Sequence, residues 1–180
     1  MGIAALLMAL GIAGFISTRD QAIVNDTTEK ILSEIREAQT RSIAVKNDGA
    51  NNTIAWALEL NATKPSASLV AYNNTAPGVI SRGTATPLTI NPGVRITTKS
   101  PTTSIADGGV RNIVFSTPFA DTQTFTTPLA WTQRTVPPFN WSNGANQFTN
   151  TYNQISIIID INGGLAQTII VKNNGDAYVQ

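Results

Sequence analysis

Few side chains in this 180-residue chain can do chemistry, and they are scattered. The sequence has neither histidine nor cysteine. That removes the ordinary hydrolase triads, which need an imidazole to move a proton, and the zinc sites built on imidazole or thiolate. The serine and threonine hydroxyls that remain have no recognisable base beside them, so no catalytic residue, metal ligand or cofactor is assigned and an enzyme is not expected. Asp160-Ile-Asn162-Gly163 is similar in outline to the start of a calcium loop. The later glutamate of such a loop is missing, and a hairpin turn accounts for the same residues. Triplets of the N-glycosylation pattern start at Asn25, Asn51, Asn61, Asn73 and Asn140. A chain this rich in Asn and Thr produces about three by chance, so the excess is small. Arg82, Arg95, Lys99, Arg111, Arg134 and Lys172 make a dispersed basic set in a chain of net charge +1. Binding phosphates needs clustered cations, so nucleic acid is not an expected partner. Trp131, Phe139 and Trp141 fall in a Pro-containing stretch over 128–146 that reads as irregular. They form a candidate surface-binding loop, although aromatic residues in such a place serve equally for core or inter-subunit packing.

The elements that must carry these residues divide the chain in two. Met1 to Ile16 holds no charged side chain, and a charge-decorated helical segment runs on from Thr18 to Asn47. Sixteen residues of helix reach about 24 Å, short of the roughly 30 Å of a bilayer core. A secretory leader has a basic start and a small-residue cleavage site before a new domain. Here helix-compatible sequence continues through Arg19 and Asp20, so the segment reads as retained. Ala22, Ile23, Ile31, Ile35, Ala38 and Ser42 form a stripe expected to face a sheet. The pairs Lys30 with Glu34 and Glu37 with Arg41 are expected on the solvated side, and Asn47-Asp48-Gly49 is the expected stop. Gly11 and Gly14 each cost up to about 1 kcal/mol relative to alanine in a helix interior. They either allow close helix contact or mark a weak point where the helix stretches.

After Gly49 the periodicity becomes two. Strands are expected at 53–60, 68–72, 78–81, 87–90, 94–98, 110–116, 122–126, 154–161, 166–172 and 177–179. Asn162-Gly163-Gly164 and Asn173-Asn174-Gly175-Asp176 read as hairpin turns. The fold class is therefore α+β, with a long N-terminal helix over residues 1–48 and a β-rich head of mainly antiparallel strands over 49–180. Composition agrees, with 42% apolar and only 13% charged residues.

Three features together resemble the type IV pilins and pseudopilins, most closely the branch of the minor pseudopilin H. They are the apolar-to-amphipathic N-terminal helix, the run Ile35-Arg36-Glu37-Ala38-Gln39-Thr40-Arg41-Ser42-Ile43-Ala44, and the ending Gln167-Thr168-Ile169-Ile170-Val171-Lys172-Asn173-Asn174-Gly175-Asp176-Ala177. The resemblance spans the chain, and its distinctive part is the N-terminal third. It implies a subunit anchored in the cytoplasmic membrane by its helix, then extracted by pilus assembly machinery and packed against copies of itself in a surface filament. Ile3, Leu6, Leu7, Leu10, Ile12, Phe15 and Ile16 would make the filament-core contact, and Gly11 and Gly14 would fall where pilin helices loosen. The family's Phe-Thr-Leu-Ile-Glu start and basic leader have no counterpart here. In register, about nine family residues would precede Met1, lengthening the apolar stretch to that of a membrane helix. The glutamate with which the family docks successive subunits is then assigned to no residue of this sequence. The alternatives are a minor or tip pilin, or a type II secretion pseudopilin, that primes assembly or binds a ligand such as DNA or a host surface. A membrane-anchored enzyme or binding module is the remaining class, and no nucleophile with a base supports it.

Overall fold

In the computed structural model the described residues are 2–44, 52–61, 65–76, 79–99, 110–116, 121–126, 131–133, 141–143, 146–147, 154–161, 163–172 and 174–180. A single helix, α1 (Gly2–Ile43), is 42 residues long, or about 63 Å. It contains no proline, and the run of Ala, Leu, Ile, Glu and Arg favours the helix along most of its length. Its last turn closes through the Ala44 amide, which donates to the Thr40 carbonyl at 2.9 Å. The expected stop at Asn47 to Gly49 lies outside the described residues.

Twelve strands follow among the described residues: β1 (Asn52–Asn61), β2 (Ser66–Ala76), β3 (Val79–Leu88), β4 (Val94–Lys99), β5 (Val110–Ser116), β6 (Asp121–Thr126), β7 (Trp131–Gln133), β8 (Trp141–Asn143), β9 (Asn146–Gln147), β10 (Gln154–Ile161), β11 (Ala166–Lys172) and β12 (Ala177–Val179). They form two antiparallel sheets, one ordered β6-β5-β1-β2-β3-β7-β8-β9 and the other β12-β11-β10-β4. The α+β expectation holds at that level.

The core lies where the C-terminal half of α1 meets both sheets. Val24, Ile31, Leu32, Ile35 and Ala38 pack with Trp56, Leu58 and Leu60 of β1, Leu69 and Ala71 of β2, and Ile113 and Phe115 of β5. From the second sheet come Val94, Ile96, Ile157, Ile159, Ile169 and Val171. Burying each such side chain contributes about 1.5–3 kcal/mol, so this interface holds the helix to the head. The alternation along β1 sorts by size. Trp56, Leu58 and Leu60 face the helix, while Ala55 and Ala57 lie on the reverse face with Val70, Tyr72 and Val114.

Four local expectations need correction. Ala22 is exposed instead of facing a sheet, and Val24, Thr27, Thr28 and Leu32 join the buried stripe in its place. Lys30 pairs with Asp26 at 2.7 Å, not with Glu34, so of the two expected pairs only Arg41 with Glu37 forms as expected. Residues 79–81 and 87–88, from the segments expected at 78–81 and 87–90, belong to one strand, β3, in which Pro87 lies opposite Ser68, and 89–90 lie beyond its end. Proline is tolerated there because β7 pairs with Val79 and Ile80, and among the described residues no strand on the outer edge beside Pro87 needs its N–H. Finally, the stretch expected to be irregular over 128–146 contains β7, β8 and the start of β9.

Candidate functional site

Every described side chain of α1 from Met8 to Arg19 is exposed. Met8, Ile12, Phe15 and Ile16 are 70%, 62%, 72% and 51% exposed. Large apolar side chains are normally found singly at a protein surface, not along two turns of one rod. Ile3, Leu6, Leu7 and Leu10 lie on the same helical backbone, but their side chains are outside the described residues. A Cβ built on Gly11 or Gly14 would meet nothing within 4 Å, so no neighbour within the subunit requires glycine at either position. Thr18 Oγ1 donates to the Gly14 carbonyl at 2.9 Å, a bond of the kind that tends to bend helices.

The exposed residues form a continuous stripe in alternating steps of four and three. It runs from Met8, Ile12 and Phe15 through Arg19, Ala22 and Asp26 to Glu29, Ser33, Arg36, Thr40 and Ile43. The buried Val24, Ile31, Ile35 and Ser42 lie on the other side of the helix, and of the stripe Asp26 reaches the head, through Asn91. The first part of the stripe is apolar, from Arg19 to Thr40 it is small, polar or charged, and it ends on the exposed Ile43.

Below the arm, polar contacts fix the helix to the head. Asn25 Oδ1 accepts from Gln167 Nε2 of β11 and from Gln21 Nε2, both at 2.7 Å. Asp26 Oδ2 accepts from Lys30 Nζ at 2.7 Å and from Asn91 Nδ2 at 3.1 Å. Those donors hold the Asp26 carboxyl below its ordinary range, the Lys30 bond chiefly. Further along, the Gln39 amide donates to the Gly175 carbonyl, and Ser42 Oγ donates to the Phe115 carbonyl at 2.7 Å. The Arg41 guanidinium lies 4.6 Å from the centre of the Trp56 ring. Burial, and then the nearby Glu37, push the Glu34 carboxyl above its usual value, with Arg41 opposing.

The other candidates read from the sequence separate. Asn73 is buried, with its Oδ1 accepting from Thr53 Oγ1 at 2.8 Å, so its amide is not presented to a glycosylating enzyme in the folded chain. Asn61 ends β1 partly exposed, and Asn25 is exposed but hydrogen-bonded within the helix-to-β11 contact. Asn51 and Asn140 are outside the described residues, as is Phe139. Trp131 and Trp141 are brought onto neighbouring strands, with Gln133 opposite Trp141. Asp160 Oδ1 accepts from the Gly163 amide at 3.0 Å and from Arg95 Nε at 3.1 Å. That is hairpin chemistry, with Gly163 at φ +69°. No group of three or more acidic side chains able to hold a metal occurs among the described residues. Of the dispersed cations, Arg82 is held by Glu59, Arg95 by Asp160, and Lys172 lies 5.3 Å from the Tyr178 ring centre.

One cluster escaped the sequence reading. On the reverse face of the large sheet, Glu59 Oε1 accepts from Tyr72 Oη at 3.0 Å and from Arg82 Nε at 2.9 Å, while Oε2 accepts from Arg82 Nη2 at 2.7 Å. Burial, reinforced by the Glu59 charge, drives the Tyr72 phenol well above its usual range. Glu59 and Tyr72 lie on adjacent strands four positions out of register, a relation that no local spacing reveals. Tyr72 also belongs to the apolar cluster of the reverse face, with Ala55, Ala57, Val70 and Val114.

Among the described residues no helix is long and apolar enough to cross a membrane. Comparison with protein-family models, with curated proteins and with solved structures finds no match to this chain.

Proposed function

We propose that the chain is a structural subunit of a type IV pilus-like surface filament, polymerising through the N-terminal part of α1. The observation that carries this reading is the exposed arm, uncharged before Arg19, with Met8, Ile12, Phe15 and Ile16 in solvent. Covering such side chains is worth about 25 cal/mol per Å², and within the described head no surface covers them.

Geometry supports an open assembly over a closed dimer. Packed helices lie 8–10 Å apart, whereas a head of this size is roughly 35 Å across. When many parallel arms gather around one axis, their heads collide unless successive copies are offset along it. A repeated offset is a heterologous contact, which builds a helical filament when the rotation does not close. The bare outer stripe of α1 leaves that side of the helix open to neighbours while the heads point outward. Before assembly the arm would sit in the cytoplasmic membrane, from which pilus assembly machinery would extract it.

Cryo-electron microscopy of filaments sheared from cells producing the chain tests the reading. The account expects this sequence in every subunit of a helical lattice with the arms at the centre. Density for the chain at one end only would favour the minor or tip-pilin alternative, in which the strands bearing Trp131 and Trp141 meet a ligand such as DNA or a host surface. Filaments built wholly from another chain would favour a secretion pseudopilin.

A further inference from the structure

The turn between β11 and β12 holds a reactive pair of residues under restraint. Asn174 is exposed and precedes Gly175, which is buried with φ at +93°. Asparagine ahead of glycine is prone to deamidation, because glycine has no Cβ to shield the backbone nitrogen that attacks the asparagine side-chain carbonyl carbon. Here that nitrogen is engaged, since the Gly175 N–H donates to the Lys172 carbonyl at 3.0 Å. The group it would attack is held as well. Asn174 Oδ1 accepts from the Asp176 N–H at 3.1 Å, and Asn174 Nδ2 donates to Asp176 Oδ2 at 2.8 Å. Three further bonds fasten the hairpin. The Gln39 side chain of α1 donates to the Gly175 carbonyl, the Lys172 N–H to the Asp176 carbonyl at 2.9 Å, and the Gln180 N–H to the Thr168 carbonyl at 2.8 Å. Ala177 of β12 packs against the core.

We propose that Asn174 is a deamidation site gated by this clasp, reacting when the β11–β12 hairpin opens from α1 and not in the closed turn. On opening, the Gly175 nitrogen gives up its proton through water and bonds to the Asn174 side-chain carbonyl carbon. The side-chain nitrogen takes up that proton and leaves as ammonia. Water then opens the cyclic imide at one or other carbonyl, leaving aspartate or isoaspartate at position 174. Both products lose the Nδ2 donor to Asp176 and set a second carboxylate beside it, where like charges repel. Isoaspartate also adds a methylene to the backbone ahead of Gly175, displacing the carbonyl that accepts from Gln39. The reaction thus marks permanently any copy whose clasp has opened, and it weakens the clasp. Asn162-Gly163 is the same pair in the β10–β11 hairpin, where the Gly163 N–H is held by Asp160 Oδ1 of that hairpin at 3.0 Å. This inference does not depend on the filament reading.

Mass spectrometry of the full chain, aged in detergent in mildly alkaline buffer, measures the reaction. Cleavage after Lys172 releases residues 173–180, in which Asn174-Gly175 is the sole pair of its kind, and cleavage after Arg134 and Lys172 releases the peptide that carries Asn162 as an internal reference. Conversion at Asn174 should be about a hundredfold slower in the folded chain than in the same chain held in denaturant. Gln39→Ala removes the tie from α1 and should speed conversion at Asn174 about fivefold, leaving Asn162 unchanged. Equal rates in the folded and denatured chains would overturn the proposal, since the closed turn would then give no protection. So would a Gln39→Ala chain that converts at the wild-type rate, a rise at both asparagines together, or an Asn174 that fails to convert in denaturant. Asn174→Asp supplies the new charge without the reaction. It should speed hydrogen exchange at the Lys172 amide about fivefold, and unchanged exchange there would overturn the weakening of the clasp.

Discussion

Between Met8 and Arg19 the helix holds its described side chains in solvent, Met8, Ile12, Phe15 and Ile16 among them, whereas between Val24 and Ser42 the same helix buries its large apolar ones against two sheets. The backbone is continuous, so the difference lies in the side chains and in what meets them. The docked half separates an apolar face from a polar one, which lets it be stable in water once the head has folded. In the arm apolar residues lie on every side, and a single head could not cover it all. Stability is therefore a property of the docked half, and association a property of the arm.

Substitutions sharpen that division. Ile35→Ala, a truncation at the centre of the docked half, should cost about 3 kcal/mol and lower the melting temperature by about 10 °C. Ile12→Ala in the arm should leave the melting temperature unchanged in the same calorimetric experiment. A smaller loss is expected from Ser42→Ala, which leaves the buried Phe115 carbonyl without the Ser42 hydroxyl and should cost about 1.5 kcal/mol in denaturant titration. Thr27→Val should act in the opposite direction. The Thr27 hydroxyl is buried with no hydrogen-bond partner among the described residues, so replacing it with a methyl of similar shape should gain about 1 kcal/mol. The smallest effect is expected at Glu34, where burial raises the folded-state carboxyl above its unfolded value. A raised carboxyl pKa means that the folded state favours the protonated form. Stability associated with that proton is present at low pH and is lost as pH rises through the folded value. Glu34→Gln should therefore stabilise slightly at pH 7, with a gain that shrinks on acidification and is gone below about 4.5, as read from melting curves across that range.

The two regions also differ in how far the sequence exposed them. The long helix and most strands were legible because period 3.6 gave way to period two after Gly49, and because Gly163 and Gly175 stand where positive φ is needed. The uncharged stretch before Arg19 was plain in the sequence, whereas its exposure on the subunit was not. Lys30 takes Asp26 and not Glu34, an acid four residues before a lysine being the more favourable order on a helix, and Asn91 also binds Asp26. The short strands β7 to β9 were missed because segments of two or three residues carry no period. The Glu59, Tyr72 and Arg82 cluster depends on cross-strand register, which is tertiary information. Buried Asn73 shows the same limit for a modification motif, since the triplet says nothing of burial.

Sedimentation of the purified full chain after detergent removal, beside the Ile12→Asp, Phe15→Asp variant at equal concentration, tests most directly whether association resides in the arm. The account predicts large assemblies for the wild type and a monomer for the variant, with both chains unfolding at the same temperature. A wild type that stays monomeric, or a variant that assembles equally well, would contradict it.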